Sequence, residues 1–211
     1  MQLRFYFSDM IDDDNIDGQP ETTKSRQISS RELLFISILS ATAYLILAFL
    51  IYRYLLEEPL NIAFKHGYTV STQLIIGMLS GSAAAGIIGV IINHTSVSEV
   101  LHDFYIVDMV SKLKLSRFDR IQLSAFAGVG EELLFRGAIQ PLLGIWVTSF
   151  IFIGIHGYFK FRSAGHMLFG LTMFALSMLL GYLFEYSGLI AAMTAHAVYD
   201  VIMLRIVQIG K

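Results

Sequence analysis

Two long uncharged stretches constrain this chain more than any other feature of its sequence. Residues 33–52 contain twenty consecutive uncharged residues and residues 70–92 contain twenty-three, most of them apolar. A helix needs roughly 20 apolar residues to cross the hydrocarbon core of a bilayer. A helix also satisfies every backbone hydrogen bond within itself, as a membrane interior requires. The pattern therefore predicts an all-α, polytopic membrane helix bundle.

Four further apolar stretches extend the prediction to six transmembrane helices. One of them is interrupted by Glu131, Glu132 and Arg136, and Pro141 then separates it from the next stretch. Because proline lacks a backbone N–H, Pro141 is predicted to separate two helices or to kink one. The predicted spans are 33–52, 70–92, 121–140, 142–159, 165–185 and 188–209.

Composition supports a membrane protein and excludes several other classes. Charged residues make up 15% of the 211 residues, against about 25% in an ordinary soluble domain. This excludes a disordered chain and argues against a nucleic-acid partner. The absence of cysteine excludes a disulfide scaffold, a zinc site built from thiolates and a cysteine nucleophile.

The first 32 residues differ in composition from the rest. They hold seven acidic residues, and the segment 12–20 within them has few apolar residues and cannot offset the entropy of ordering. Residues 1–32 are predicted to be an acidic, mobile cytosolic tail, followed by a membrane domain over 33–209. A secretory signal would be basic and then apolar, so the first apolar helix is interpreted as an uncleaved span.

The basic residues predict the orientation of the spans. Lysine and arginine are enriched in cytoplasmic loops. With a cytosolic N-terminus and six spans, 12 of the 15 basic residues lie on the inner side, and only Arg53 and Lys65 lie outside. Arg136 remains within the membrane. Both termini are therefore predicted to be cytosolic. The loop over 93–120 is either an interfacial amphipathic helix or an ordinary cytosolic connector.

Three clusters of ionisable residues lie at mid-membrane depth. A charge there costs at least about 2.5–3.5 kcal/mol, so such residues line a cavity, pair or perform chemistry. The clusters fall in separate spans and comprise Glu131, Glu132 and Arg136, then His156, then His196 with Asp200.

The spacing within each cluster indicates which ionisable side chains can pair with each other and which can face other partners. Glu132 and Arg136 are one turn apart, so the cation can neutralise and orient that carboxylate. Glu131 lies about 100° round the helix and faces a different partner. Asp200 lies one turn after His196 and could fix its tautomer. Two histidines and a glutamate could then converge on one water.

This ordered set of motifs resembles the CPBP family, also called the Abi family. That family comprises CAAX prenyl endopeptidases and bacteriocin-processing or self-immunity proteins, which are intramembrane proteases of the glutamic type. The matching motifs are Glu131-Glu132-x-x-x-Arg136, Phe152-x-x-x-His156 and His196-x-x-x-Asp200. The resemblance covers roughly residues 120–205, the predicted catalytic core.

The resemblance implies a cytosol-facing cavity within the bilayer and a role for each motif residue. Glu131 would act as general base, His156 would help to hold and activate the water, and Arg136 would orient the pair through Glu132. His196 and the residue at position 200 would stabilise the oxyanion. Because an ionised aspartate only accepts hydrogen bonds, Asp200 is either protonated or an acceptor for His196, and the second interpretation is favoured.

Three alternatives stay open. Two histidines and a glutamate match a catalytic zinc set, although a neighbouring arginine opposes a bound dication and no cofactor is predicted. A non-proteolytic membrane immunity or partner-binding protein could retain the same fold. A transporter could use the same charges, but no inverted repeat supports it. The predicted partners are the lipid bilayer and a peptide precursor, membrane protein or prenylated tail. The predicted location is a bacterial plasma membrane.

Overall fold

A computed structural model describes residues 29–113 and 115–209 of the chain. Within these residues all regular structure is helical, which confirms the all-α membrane bundle. Most of the predicted acidic tail lies outside the described residues. The α-helices in chain order are α1 (Ser30–Ile51), α2 (Val70–His94), α3 (Val97–Val100), α4 (Tyr105–Lys112), α5 (Arg117–Glu132), α6 (Gln140–Ile155), α7 (Ala164–Ser187) and α8 (Leu189–Ile209).

Capping serines set where two of the helices begin. Ser29 accepts a hydrogen bond from the Glu32 amide, and the Glu32 carboxylate accepts one from the Ser29 amide, which forms a capping box. Helix α1 therefore starts three residues before the predicted position 33. Ser116 and Asp119 form the same box at the start of α5.

Five helical segments in the described part of the chain are long and apolar enough to cross a membrane. They point to a multi-pass membrane protein. Four correspond to predicted spans with ends shifted by a few residues, and the fifth, Arg117–Ile155, contains the predicted span 121–140 and most of the predicted span 142–159. It runs from α5 through a π-helical stretch, Leu133–Ile139, directly into α6.

This fifth segment folds back on itself at Gly144. The backbone there has φ 75° and ψ 168°, whereas Pro141 lies in the first turn of α6. The Arg136 guanidinium donates to the Ser149 hydroxyl at 3.2 Å. Thirteen residues along a straight helix would span about 20 Å, so the two arms must be antiparallel. The break predicted at Pro141 is therefore wrong by three residues.

The returning arm is short. It covers 145–155, about 17 Å of helix, which is less than the roughly 30 Å hydrocarbon core. The predicted span 142–159 is therefore wrong at both ends. Residues 156–163 form a non-helical loop, and His156 begins that loop rather than lying inside a helix. Non-helical backbone at membrane depth is tolerated where it lines a cavity.

Loop contacts divide the bundle into two ends. At one end, called here the Tyr68 end, the Tyr68 amide donates to the Ser187 carbonyl, and Tyr52, His66 and Pro141 line one common cavity. At the other, called the Asp103 end, Asp103 contacts His166 and Asp119 accepts from Ser30. The long helices alternate in direction between these ends.

Small residues bring α8 against its neighbours. A Cβ built on Gly77 or Gly81 of α2 would meet Thr194 or Ala195 of α8 within 2.6 Å, and one on Gly128 of α5 would meet Met193 at 2.8 Å. Such residues let helix backbones approach closely in membranes. The two helices are therefore in close contact at Gly77 and Gly81, whereas a Cβ built on Gly86 would meet nothing within 4 Å. The approach places the histidine-bearing turn of α8 beside the acidic turn of α5.

Candidate active site

Glu132 lies at the centre of a fully buried polar cluster. Its side chain has no exposed surface, and both carboxylate oxygens have partners. Oε2 accepts from Arg136 Nε at 3.1 Å, and Oε1 accepts from His196 Nδ1 at 2.7 Å. The Glu132 carboxylate therefore links α5 to α8 and has a partner on each oxygen.

Arg136 is held on every side by polar or aromatic groups. Nη1 donates to Ser149 at 3.2 Å, Nη2 donates to Ser177 at 2.7 Å, and the guanidinium carbon lies 5.4 Å from the Phe152 ring centre. A buried charge is tolerated only when it is paired and hydrogen-bonded. The contacts satisfy that condition across α5, α6 and α7.

Glu131 faces a different partner from Glu132. Its Oε2 lies 3.5 Å from His156 Nε2, and its side chain keeps 14% of its surface exposed. His156 Nδ1 lies 2.6 Å from the Phe152 carbonyl oxygen. Because a carbonyl only accepts, Nδ1 carries the proton in that bond. In the neutral ring, Nε2 is therefore an acceptor that faces the Glu131 carboxylate.

His196 lies between two carboxylates. Nδ1 donates to Glu132, and Nε2 lies 3.5 Å from Asp200 Oδ2. The sequence predicts that Asp200 sets the tautomer of His196, but the shorter contact belongs to Glu132. Asp200 keeps 28% of its side chain exposed, so it lies at the open rim of the cluster.

The site is closed on one side and open on the other. Glu132 and Arg136 are completely enclosed, whereas Glu131, His156 and Asp200 keep between 14% and 28% of their side chains accessible. The accessible groups lie where the 156–163 loop meets α5 and α8. Glu131 and His156 therefore share the accessible side of the cluster.

The histidine and carboxylate side chains of the site lie in pairs rather than in a group that could bind one metal ion. Over 29–113 and 115–209, no three histidine, aspartate or glutamate side chains are placed to hold one ion. His156 contacts Glu131 and His196 contacts Glu132. Arg136 lies next to the second of these pairs. The zinc alternative therefore has no ligand cluster among these residues.

Two groups of residues around the site are not indicated by sequence motifs. Ser149 and Ser177 contact Arg136, but serines are common in apolar spans and carry no distinctive spacing. Tyr158 stacks on His156, with ring centres 5.8 Å apart and planes 13° apart. Burial, together with Asp200 and Glu131, raises the pKa of the Tyr158 hydroxyl. Only the folded chain shows that this ring stacks on His156.

Comparisons with known proteins match the part of the chain that contains this site. Residues 116–202 match the Rce1-like family, described as type II CAAX prenyl endopeptidase Rce1-like. An uncharacterized protein of Bacillus subtilis (strain 168), YpbD, is 37% identical over 83 residues, which are 39% of this chain and 42% of the relative. The chain thus matches less than half the length of that relative. No solved structure matches significantly. The resemblance to the CAAX prenyl endopeptidases is confirmed for this segment.

Proposed function

We propose, from the premise that residues 116–202 are an Rce1-like type II CAAX prenyl endopeptidase domain, that this chain is an intramembrane endopeptidase. It hydrolyses a peptide bond close to the cytosolic leaflet. The preferred substrate is a peptide that ends in a prenylated cysteine and three further residues. The location is a bacterial plasma membrane.

One observation carries this proposal. Glu131 Oε2 and His156 Nε2 are both acceptors, 3.5 Å apart at the accessible rim of a buried cluster. A water bound to both would donate one hydrogen to each. Such a water is oriented and made more nucleophilic, which is how general-base catalysis works.

Hydrolysis then follows with each proton accounted for. The water oxygen attacks the carbonyl carbon of the peptide, and Glu131 takes the proton that the water releases. The oxyanion accepts a hydrogen bond from His196, whose ring is fixed by Glu132. The carbon–nitrogen bond breaks as Glu131 passes its proton to the leaving amine, and the second hydrogen of the water stays on the added oxygen in the carboxylic acid product.

Asp200 contributes to the same step as an acceptor. It lies 3.5 Å from His196 Nε2, which is too long for a strong hydrogen bond but close enough to favour a protonated ring. A protonated His196 donates one hydrogen bond to Glu132 through Nδ1–H and can donate a second one to the developing oxyanion through Nε2–H. This assigns Asp200 to His196 rather than to the substrate.

The test uses purified protein in liposomes and a quenched fluorescent peptide that carries a farnesylated cysteine three residues from its end. We expect Glu131→Gln to lower kcat by about 10²–10⁴-fold, the usual contribution of a general base. The matched control is Glu99→Gln, at an exposed position in α3, which should cleave like the wild type. Unchanged cleavage by Glu131→Gln would refute the mechanism.

The same peptide without the farnesyl group tests the substrate class. We expect slower cleavage, because the lipid would place the scissile bond at the depth of Glu131. Equal cleavage of both peptides would show that the enzyme does not select prenylated substrates. Failure of the wild type to cleave either peptide would contradict the proposed substrate.

A further inference from the structure

Two buried serines from different helices converge on the guanidinium of Arg136. Ser149 of α6 accepts from Nη1 at 3.2 Å, and Ser177 of α7 accepts from Nη2 at 2.7 Å. Ser149 is fully enclosed and Ser177 is 1% exposed. The family motifs include neither serine, and neither touches the accessible rim of the site.

The geometry indicates that these two hydroxyls fix the orientation of the planar Arg136 guanidinium. Glu132 accepts from Nε, and the Phe152 ring covers one face of the group, so the two terminal nitrogens Nη1 and Nη2 are held by other acceptors. The two serines, which lie on separate helices, accept hydrogen bonds from the remaining two nitrogens. Because guanidinium donors form a rigid planar fork, fixing three nitrogens fixes the orientation of the whole group.

The orientation of Arg136 is transmitted to the reacting groups. Arg136 holds one oxygen of Glu132, and the other oxygen accepts from His196. A rotation of the guanidinium would therefore turn the Glu132 carboxylate and move the His196 ring. Misplacement of a catalytic group by about 1 Å can cost about 10²-fold in rate.

We propose that Ser149 and Ser177 are positioning residues for peptide hydrolysis, which hold Arg136 so that Glu132 fixes His196. The inference rests on the proposed function for its kinetic consequence. Its structural consequence, the state of the His196 ring, is independent of turnover.

The chain supplies a matched control next to one of the serines. Thr148 is adjacent to Ser149 on α6 and is also fully enclosed, but its hydroxyl has no hydrogen-bond partner among the described residues. Thr148→Val removes a buried hydroxyl without removing a hydrogen bond. Ser149→Ala and Ser177→Ala each remove one of the contacts to Arg136.

The kinetic experiment compares the wild type, both single variants, the double variant S149A/S177A and Thr148→Val in liposomes with the farnesylated peptide. We expect the double variant to lose about tenfold to hundredfold in kcat, with KM within about twofold of the wild type. The single variants should fall in between, and Thr148→Val should match the wild type. Rates are expressed per folded molecule, so a purely structural role would leave kcat unchanged.

A second measurement keeps the proposal testable even if no peptide is cleaved. Imidazole ¹H–¹⁵N spectra of labelled protein report the hydrogen bond from His196 to Glu132, and the signal is assigned by its loss in His196→Gln. We expect it to shift or broaden in S149A/S177A and to stay in place in Thr148→Val. An unmoved signal in the double variant, or a normal kcat per folded molecule, would overturn the proposal. A wild type without activity would count against the proposed function alone.

Discussion

At the scale of single residues, two adjacent glutamates have opposite environments. Glu132 is fully buried and bonded to Arg136 and His196, whereas Glu131 is partly accessible and faces His156. A helix separates neighbouring side chains by about 100°, so one carboxylate can point into the bundle and the other to its opening. Glu132 is suited to holding the site together, and Glu131 is suited to chemistry.

This difference predicts unequal effects on stability. Glu132→Gln leaves the enclosed Arg136 without its carboxylate, and an uncompensated buried charge costs about 3–5 kcal/mol. Glu131→Gln should lower the free energy of unfolding by about 1 kcal/mol or less, a typical cost for a single substitution. Denaturant unfolding in detergent micelles measures both variants. Equal losses of stability would contradict the two assignments.

The role of Asp200 also belongs to this scale. Asp200→Asn keeps an oxygen that can accept from His196, whereas Asp200→Leu removes the acceptor at nearly the same volume. We expect the leucine variant to lose about tenfold or more in kcat, at least 1.4 kcal/mol of barrier, and the asparagine variant to lose less, because it keeps the acceptor oxygen but not the negative charge next to His196. If the leucine variant were as active as the wild type, Asp200 would have no role in the reaction.

At the scale of elements, the reversal at Gly144 decides where His156 lies. The arm over 145–155 returns only part of the way across the membrane, so the 156–163 loop begins next to Glu131. A straight helix over 117–155 would leave His156 about 37 Å from Glu131 along its axis. The reversal is therefore the local feature on which the geometry of the candidate active site depends.

A pair of glycine substitutions tests this reversal. Gly144 has φ 75° and ψ 168°, a region that is essentially restricted to glycine, so Gly144→Ala should cost of order 1–3 kcal/mol. No atom lies within 4 Å of a Cβ at Gly144 or at Gly86, so space is equal at the two sites. Gly86 is inside α2, and Gly86→Ala should be neutral or stabilising by about 0.5–1 kcal/mol. Thermal unfolding of both variants checks the contrast, and similar behaviour of the two would argue against a strained turn at Gly144.

At the scale of the whole molecule, helix directions and basic residues make one prediction. The Asp103 end carries most of the basic residues of the described loops, and the Tyr68 end carries Arg53 and Lys65. The positive-inside tendency therefore assigns the Asp103 end to the cytosol. The accessible side of the active site would then face the cytosolic leaflet.

Single-cysteine labelling tests this orientation without background, because the sequence contains no cysteine. Lys65→Cys and Ser98→Cys place exposed thiols at the Tyr68 end and between α2 and α4, respectively. In intact cells, a membrane-impermeant maleimide should label Lys65→Cys directly and Ser98→Cys only after permeabilisation. Labelling of both variants from the same side would contradict the alternation of the helices. Direct labelling of Ser98→Cys, with Lys65→Cys labelled only after permeabilisation, would show the opposite orientation in the membrane.

Prediction from the sequence succeeded where the signal is local. Apolar stretches identify the membrane helices because the bilayer demands about 20 apolar residues from each one, whatever the neighbouring helices are. It was less accurate at Pro141, since a proline in the first turn of a helix is tolerated and the reversal occurs at Gly144 instead.

The sequence by itself determined that this is a helical membrane protein and that six ionisable residues are candidates for its chemistry, because charges at that depth are costly and conspicuous. Only the tertiary structure decided their partners. It paired Glu131 with His156 and Glu132 with His196, and brought Ser149 and Ser177 to Arg136. These contacts join helices that are distant in sequence, and their hydrogen bonds depend on how the backbones pack. No spacing along the chain specifies that packing.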